Sequence, residues 1–287
     1  MAVITGQTRL LGVIGYPIAH TLSPVMHNAA LASLQQQIPD LNFVYLPFAV
    51  QPDQLSAAIA GFAAIGVQGF NVTIPHKQAI LPFLNQVSAI AQAVGAVNTV
   101  WRTEQGWAGT NTDIQGFLAP LRTCQDWQTA VILGSGGAAR AVVAACAELG
   151  FSRIAVVGRN QDKLSQFKQS WQNLDQLTVH AWSDLEQLLP QTNLLVNATP
   201  IGMHPNSEQS PLAQPEIALL PAHALVYDLI YTPRPTLLLR LAEQSGLAAI
   251  DGLEMLVQQG AAALEIWLQQ PVPVAAMRLA AEQYFKD

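Results

Sequence analysis

The sequence has few charged side chains: of its 287 residues, 13 are Lys or Arg and 19 are Asp or Glu, 11% in all. The formal net charge of −6 at pH 7 argues against nucleic acid or an anionic membrane as a partner. Hydrophobic residues make up 51% of the chain, which is enough for a full core and excludes a largely disordered protein. A chain of 287 residues favours two domains over one.

Cysteine is also scarce. Cys124 and Cys146 show no CxxC spacing, which favours two core thiols over a disulfide or a metal site. The six histidines form neither an HxxxH nor an HExxH pair, so we predict no metal. The sequence lacks the ~18-residue apolar run of a membrane-spanning helix, and its first residues lack the basic leader of a signal peptide. We therefore expect a cytoplasmic protein.

Apolar runs and helical patterns divide the chain into two α/β parts. Up to about residue 110, β-like runs alternate irregularly with helical patterns, which predicts a mixed sheet. From Ala130 onwards, short buried strands alternate with crossovers, as in a doubly wound parallel sheet. Two helical patterns follow and could return to the first part. We predict a domain of residues 1–113 completed by 253–287, and a second domain of residues 114–252.

A glycine-rich loop opens the second domain. The strand Val131-Ile132-Leu133 runs directly into GSGGAA, which fits G-x-G-x-x-[G/A], and a helical pattern follows. Such glycines allow a tight turn, and the helix N-terminus offers unpaired N–H groups to a pyrophosphate. The loop therefore predicts a dinucleotide-binding Rossmann domain, with contacts from Gly134, Ser135, Gly136, Gly137 and Ala138.

The end of the next strand indicates which dinucleotide is bound. An enzyme that prefers NAD usually carries Asp or Glu here to bind the ribose 2′-hydroxyl, whereas this chain has Gly158-Arg159-Asn160, with Lys163 a turn later. An arginine fork suits a 2′-phosphate. A solvated surface arginine is the alternative, but the missing acid favours NADP.

Two polar clusters in the first domain carry potential chemistry, one at Asn71–Lys77 and one at Gly109–Asp113. Each follows an apolar, β-like run and places a charged group, Lys77 or Asp113, among amides and hydroxyls. A lysine and a carboxylate in such surroundings can hold a polyhydroxylated molecule and move one proton on it. Alone, Lys77 could be a surface lysine and Asp113 a helix cap. Together with the loop, they predict a dehydrogenase.

Ser23-Pro24 reads as the N-cap and N1 residues of a helix. Thr21 adds a second hydroxyl two residues earlier. A helix N-terminus with two hydroxyls is a suitable seat for a small carboxylate, although a cap alone would explain the pair.

In their order and spacing, these motifs resemble shikimate dehydrogenases. The matching stretches are IGYPIAHTLSPVMHN, GFNVTIPHK, GAVNTV, GTNTDIQGF, LGSGGAAR, NATPIGM, VYDLIYTPRPT and DGLEMLVQQGA, which span nearly the whole chain. The resemblance implies reversible reduction of 3-dehydroshikimate to shikimate by NADPH, in the pathway to chorismate and the aromatic amino acids. The chain departs from the family pattern in having Thr21 for serine, and Gly158 and Asn160 for Asn and Thr.

The resemblance also implies residue roles. Lys77 and Asp113 would be the catalytic pair, and Arg159 would bind the 2′-phosphate. Other residues would contact the substrate, namely Thr21, Ser23, Asn71, Thr73, Asn98, Tyr227 and Gln259. The nicotinamide end of the cofactor would lie against Thr199, Met203 and Gly252. A cleft between the domains would close on its ligands. The partners would be small molecules, and the protein a monomer or a homodimer.

Three alternatives remain open at this point. The first is a quinate/shikimate dehydrogenase that uses NAD. The second is an NADP oxidoreductase of the same plan with a different substrate. The third is a non-catalytic module that senses a nucleotide or a hydroxy acid, which would not require Lys77 and Asp113.

Overall fold

The computed structural model describes residues 4–121, 127–171 and 174–285. Cys124 lies outside these ranges, and Cys146 is a buried free thiol, as predicted. The chain groups into two compact units: unit 1 comprises Met1–Gly116 and Val257–Asp287, and unit 2 comprises Phe117–Leu256. The predicted assignment of substrate to the first part and NADP to the second stays a prediction.

Unit 1 is built on a six-stranded sheet of order β2-β1-β3-β5-β6-β4. Its strands are β1 (Arg9–Gly15), β2 (Phe43–Ala49), β3 (Gly69–Val72), β4 (Gln86–Val87), β5 (Thr99–Thr103) and β6 (Gly106–Thr110). β1 is parallel to β2 and β3, whereas β5 is antiparallel to β3 and β6, so the predicted mixed sheet is confirmed. The apolar pattern did not predict β4 or β6, because two residues and the glycine-containing GWAGT give too weak a signal.

The helices of the first stretch of chain are α1 (Ser23–Gln35), α2 (Leu55–Ala64), α3 (His76–Ala79), α4 (Ala89–Val94) and α5 (Asp113–Leu118). α2 buries Leu55, Ile59 and Phe62 against apolar side chains of β3, β5 and β6. Aromatic rings continue this core, since Phe70 meets both Phe62 and Trp107 edge-on at centroid distances of 5.2 Å.

Unit 2 contains a six-stranded, fully parallel sheet of order β12-β11-β10-β7-β8-β9. The strands are β7 (Thr129–Leu133), β8 (Arg153–Gly158), β9 (Leu177–Ala181), β10 (Leu194–Asn197), β11 (Leu225–Asp228) and β12 (Ala248–Ile250). The helices are α6 (Gly137–Glu148), α7 (Gln161–Gln169), α8 (Leu185–Leu188), α9 (Gln214–Ile217) and α10 (Leu237–Gln244). This strand order is that of the doubly wound dinucleotide fold, so the predicted Rossmann domain is confirmed.

The chain ends in α11 (Leu253–Leu268) and α12 (Val274–Tyr284). α12 packs on α1, and Trp267 of α11 donates a hydrogen bond from Nε1 to the carbonyl of Val100 in β5 at 2.9 Å. The predicted return of the C-terminal helices to the first part is therefore confirmed. None of the helices in the described ranges is both long and apolar enough to cross a membrane.

Candidate active site

Lys77 and Asp113, 36 positions apart in sequence, form an ion pair in unit 1. Lys77 lies in the short helix α3 and donates from Nζ to Oδ2 of Asp113 at 2.7 Å. Asp113 begins α5, where its backbone N–H donates to Oδ1 of Asn111 at 3.0 Å. The exposed fractions of the two side chains are 16% and 6%, so the pair is largely shielded but can be reached from solvent. The structure thus assembles the two groups that the sequence suggested for proton transfer.

Asn98 holds the carboxylate of Asp113 from the other side. Its Nδ2 lies 2.7 Å from Asp113 Oδ1, 3.0 Å from Thr112 Oγ1 and 3.2 Å from Gln259 Oε1. Its Oδ1 accepts hydrogen bonds from the Thr112 N–H and from Thr99 Oγ1. Three acceptors share the two amide hydrogens, and Asn98 is only 2% exposed. Its main effect in this state is to orient Asp113.

Asn71 is also held on every side. Its Nδ2 donates to the Asn98 carbonyl at 3.1 Å and to Thr99 Oγ1 at 3.2 Å, while its Oδ1 accepts from the Tyr45 hydroxyl at 2.7 Å. Both amide hydrogens are therefore used, and Asn71 can offer a ligand only the second lone pair of Oδ1. Tyr45 was not predicted from the sequence, because a tyrosine in a buried strand looks like an ordinary core residue.

The start of α1 corrects one prediction. Ser23 is not the N-cap, because Leu22 occupies that position with helical dihedrals and α1 has no side-chain cap. Instead, Thr21 Oγ1 accepts the Ser23 N–H at 3.3 Å and donates to Ser23 Oγ at 3.2 Å. The two predicted hydroxyls are thus adjacent at the N-terminus of α1, where the N-cap residue Leu22 provides no side-chain cap. Thr73, the remaining predicted hydroxyl, follows β3 and is partly buried.

The helix α11 brings Gln259 to this cluster. Gln259 accepts from Asn98 through Oε1, and its carbonyl accepts from Thr112 Oγ1 at 3.0 Å. The next residue, Gly260, allows the helix to approach His27, because a Cβ there would lie 3.1 Å from the imidazole ring. His27 stacks on Tyr45 at a centroid distance of 4.0 Å. Burial lowers the pKa of His27 to about 4, so its ring is neutral near pH 7.

In unit 2 the glycine loop joins β7 to α6. Gly134 adopts a φ of +102°, and its N–H donates to the Val157 carbonyl at 2.8 Å. Gly136 is the N-cap of α6, where no side chain caps the helix and no atom would meet an added Cβ within 4 Å. Gly137 and Ala138 form the first turn, and Ser135 is partly buried in the loop. The N-terminal N–H groups of α6 lack a side-chain acceptor, which suits a pyrophosphate.

Arg159 lines a pocket at the end of β8, and Lys163 follows one turn later, in α7. The pocket has a volume of about 400 Å³ and is lined by Arg159, Trp182, Ile201, Gln209, Ser210 and Pro211. The Arg159 guanidinium lies over the Trp182 ring, 5.9 Å from its centroid. Asn160 caps α7 by accepting the Lys163 N–H at 2.9 Å. The pocket thus combines an exposed cation with an aromatic wall. Trp182 was not predicted as part of this site, because no motif in the sequence includes it.

The three residues predicted at the nicotinamide end lie at the carboxyl edge of the parallel sheet. Thr199 follows β10, and its hydroxyl donates to Asn197 Oδ1 at 2.7 Å. Met203 is 43% exposed. Gly252 follows β12, and its N–H donates to the Ile230 carbonyl at 3.1 Å. Ligands of doubly wound sheets bind at this edge.

Tyr227 is placed differently from the other predicted substrate contacts. It lies inside β11 with no exposed surface, and its ring stacks on Phe117 at a centroid distance of 4.9 Å. Its hydroxyl is buried and has no hydrogen-bond partner in the part of the chain that the structure describes, and this burial raises its pKa. Within the described residues, no group of three or more His, Cys, Asp or Glu side chains could hold a metal ion.

Comparison with known proteins identifies the family. The family model described as the shikimate dehydrogenase substrate binding domain matches residues 13–100, and that of the shikimate 5′-dehydrogenase C-terminal domain matches residues 252–282. A curated relative from Microcystis aeruginosa, named shikimate dehydrogenase (NADP(+)), is 60% identical over 291 residues, which cover 99% of this chain and 100% of that protein. The chain belongs to the shikimate dehydrogenase family.

Solved structures agree with this assignment. Shikimate 5-dehydrogenase from Thermus thermophilus, crystallised with NADP(H) and shikimate, is 34% identical, with a TM-score of 0.84 over 96% of this chain and 99% of that chain. The ligand-free 5-ketofructose reductase of a Gluconobacter species is 33% identical, with a TM-score of 0.82 over 98% of this chain and 100% of that chain. The same architecture therefore supports oxidoreductases with different substrates.

Proposed function

We propose that this protein is an NADP-dependent shikimate dehydrogenase, which reversibly reduces 3-dehydroshikimate to shikimate in aromatic amino-acid biosynthesis. The observation that carries the proposal is the Lys77–Asp113 ion pair, set among neutral amides and hydroxyls in unit 1. The names of the relatives at about 60% identity support it.

Lys77 is the proton donor during reduction and the proton acceptor during oxidation. NADPH, when bound, supplies the hydride for the carbonyl carbon, and the carbonyl oxygen then needs one proton. Nζ of Lys77 carries protons and is partly open to solvent, which can restore the transferred proton. Asp113 holds Nζ at 2.7 Å and keeps the amine directed. Asn98 in turn fixes the Asp113 carboxylate, so that it does not rotate away from Lys77.

The substrate occupies the surroundings of this pair. Thr21 and Ser23 bind its carboxylate with their hydroxyls, helped by the uncapped N-terminus of α1. Asn71 accepts a hydrogen bond from a ring hydroxyl, because only its Oδ1 has capacity left. Thr73, Asn98 and Gln259 complete the predicted contacts.

Tyr227 stays a prediction that rests on the resemblance, because its hydroxyl is buried in unit 2. Replacing it with Phe removes the hydroxyl and keeps the stack on Phe117. A higher KM for shikimate would support a substrate contact, whereas an unchanged KM would leave Tyr227 as a core residue.

The residues of unit 2 fit NADP. The uncapped N-terminus of α6, with the loop Gly134 to Ala138, would hold the pyrophosphate. Arg159, with Lys163, would bind the 2′-phosphate at the mouth of the pocket beside Trp182. Thr199, Met203 and Gly252 would contact the nicotinamide end.

An absorbance assay at a wavelength specific for reduced nicotinamide tests the proposal by crossing shikimate and quinate with NADP and NAD. We expect fast oxidation of shikimate with NADP and slow oxidation of quinate. Faster turnover of quinate with NAD would indicate the quinate-using alternative. Turnover of a keto sugar alone would indicate a reductase of different specificity, and binding of nucleotide without turnover would indicate a sensor. The cytoplasmic location and the monomeric or dimeric state stay predictions.

A further inference from the structure

Asp228 is a buried acid that the proposed chemistry does not use. It is the last residue of β11, is 0% exposed and receives three hydrogen bonds. Asn197 Nδ2 and the Ile230 N–H donate to Oδ1 at 2.9 and 3.1 Å, and Thr236 Oγ1 donates to Oδ2 at 2.7 Å. A carboxylate removed from water is costly unless such donors surround it.

The hydrogen bonds continue from Asp228 into the turn after β10. Asn197 donates from Nδ2 to Asp228 Oδ1 at 2.9 Å and to the Ile201 carbonyl at 3.2 Å, which leaves its Oδ1 directed at Thr199. That oxygen accepts both the Thr199 N–H at 3.0 Å and the Thr199 hydroxyl at 2.7 Å. The Thr199 hydroxyl in turn accepts the Ile201 N–H at 3.2 Å. The orientation of the Asn197 amide therefore sets the shape of this turn.

Asp228 also reaches the segments that follow β11 and β12. It fixes the N–H of Ile230, whose carbonyl accepts the Gly252 N–H at 3.1 Å. Thr199 and Gly252 are two of the residues proposed for the nicotinamide end, and both are reached within two hydrogen-bonded steps of one carboxyl group. Asp228 is therefore linked by hydrogen bonds to the segments that follow three adjacent strands, β10, β11 and β12.

We propose that Asp228 is a positioning residue for NADP, which holds the Asn197 amide and the Ile230 N–H so that the Thr199 turn and Gly252 are shaped to receive the cofactor. The inference rests on the proposed function and goes beyond it, because Asp228 acts through other residues. This role requires a hydrogen-bond acceptor at the position of Oδ1, to which Asn197 and Ile230 donate. The negative charge of Asp228 matters less for this role than the acceptor oxygen does.

The contacts of Thr236 make it a matched control. It donates to the other oxygen, Oδ2, and caps α10 by accepting the Leu239 N–H at 3.3 Å, and neither hydrogen bond involves Asn197. Thr236→Val should therefore lower the stability of unit 2 and leave the Thr199 turn intact. Glu243→Gln, on the exposed side of α10, controls for loss of an acidic side chain.

The test measures the dissociation constant of NADP+ by calorimetry on the whole chain, together with Tm, kcat and KM. Asp228→Ala should weaken NADP+ binding about threefold to thirtyfold, with kcat at saturating NADP+ largely kept because Lys77 is untouched. Asp228→Asn should restore most of the affinity, since its Oδ1 can still accept from Asn197 and Ile230 while the Thr236 hydroxyl rotates. Asn197→Ala should match Asp228→Ala, and the double variant should bind no more weakly than either.

Two results would overturn the inference: unchanged NADP+ affinity in both Asp228→Ala and Asn197→Ala, or an equal loss of affinity in Thr236→Val at the same loss of Tm. If Asp228→Ala does not fold, Asn197→Ala carries the same expectation. Failure of the unmodified chain to bind NADP+ would overturn the proposed function itself, and this inference with it. Binding that is normal in the unmodified chain and in the variants would overturn only the inference.

Discussion

The candidate site in unit 1 consists mainly of side-chain groups, whereas the candidate site in unit 2 consists mainly of backbone groups. In unit 1, the polar side chains are fixed by hydrogen bonds from other side chains. Asn98 donates to Asp113, Asp113 forms an ion pair with Lys77, and Tyr45 donates to Asn71. In unit 2, the glycine loop offers mainly backbone, with a positive φ at Gly134 and no side-chain cap on α6. The first arrangement fixes the direction of individual polar atoms, and the second leaves room for a long ligand.

This difference predicts how each site responds to substitution. A change in the unit 1 cluster leaves a buried donor or acceptor unsatisfied, which costs free energy whether or not ligand is bound. A change in the unit 2 loop alters the shape of the backbone, so its effect depends on whether the new side chain fits.

Replacing Lys77 with Ala removes the proposed proton donor, and kcat should fall by about 10²- to 10⁴-fold. Steady-state rates with shikimate and NADP measure this effect. Gln78→Ala, one residue further in the same short helix, is the control and should be near normal, because Gln78 is exposed. If Lys77→Ala raised only KM, Lys77 would be a binding residue.

A change of pH within the range of about 4 to 6.5 should affect the stability of the two units with opposite sign. His27 in unit 1 has a folded pKa of about 4 against 6.5 for the free group, so acidification over that range favours the unfolded state, which takes up the proton. Burial raises the pKa of Asp228 in unit 2 to about 6 from 3.8, so its contribution to stability is lost as the pH rises over that range. The free energy of unfolding, measured against pH, tests this. Compared with the unmodified chain, His27→Phe should lose less stability as the pH falls, and Asp228→Asn should lose less stability as the pH rises. Parallel curves would refute the contrast.

Arg159→Ala should remove most of the preference for NADP, because a charge-assisted hydrogen bond to a 2′-phosphate is worth about 1.5–3 kcal/mol, or roughly ten- to hundredfold. Dissociation constants for NADP+ and NAD+ measure the effect, and that of NAD+ should hardly change. Arg153 is a matched control at the other end of β8, where it donates to Gln191. If both cofactors weakened equally, Arg159 would contact the adenine and not the phosphate.

Two glycines of the same loop should respond differently to alanine. Gly134→Ala should cost about 1–2 kcal/mol of stability, the usual penalty of a positive φ, and its Cβ would also lie 3.1 Å from the Ala198 carbonyl oxygen. Gly136→Ala should leave stability unchanged, because its surroundings are open, but should weaken NADP+ if the pyrophosphate approaches that backbone. Thermal unfolding and NADP+ titration separate the two effects, and equal destabilisation would contradict the geometry.

Thr21→Val should have the smallest effect, roughly 1 kcal/mol or about fivefold in the KM for shikimate. The substitution keeps the shape and removes the hydroxyl that contacts Ser23. Thr21→Ser is the control, which retains the hydroxyl and should be nearly normal. An unchanged KM in Thr21→Val would exclude Thr21 from the carboxylate seat.

The features that could be predicted from the sequence are those that depend on a local pattern of residues. The strands of unit 2 could be placed because parallel strands are short, buried runs, and the glycine loop has a fixed spacing. Residues that act through long-range contacts could not be predicted in the same way. In the sequence, Tyr45 and Asp228 look like ordinary strand residues. Only the fold brings Tyr45 to Asn71 and Asp228 to Asn197. The Ser23 cap was predicted wrongly because the Ser-Pro signal is the same whether the helix begins one residue earlier or later.

The attachment of α11 and α12 to unit 1 has a consequence for synthesis on the ribosome. Unit 2 is continuous in sequence, so it can fold as soon as its last residues emerge. Most of unit 1 precedes unit 2 along the chain, yet Gln259 and Trp267 are made only after all of unit 2. Until then, the Val100 carbonyl of β5 lacks its bond from Trp267, and the face of α1 that α12 covers is left without that helix. Unit 1, which is split in sequence around unit 2, is therefore completed only after unit 2 has been made.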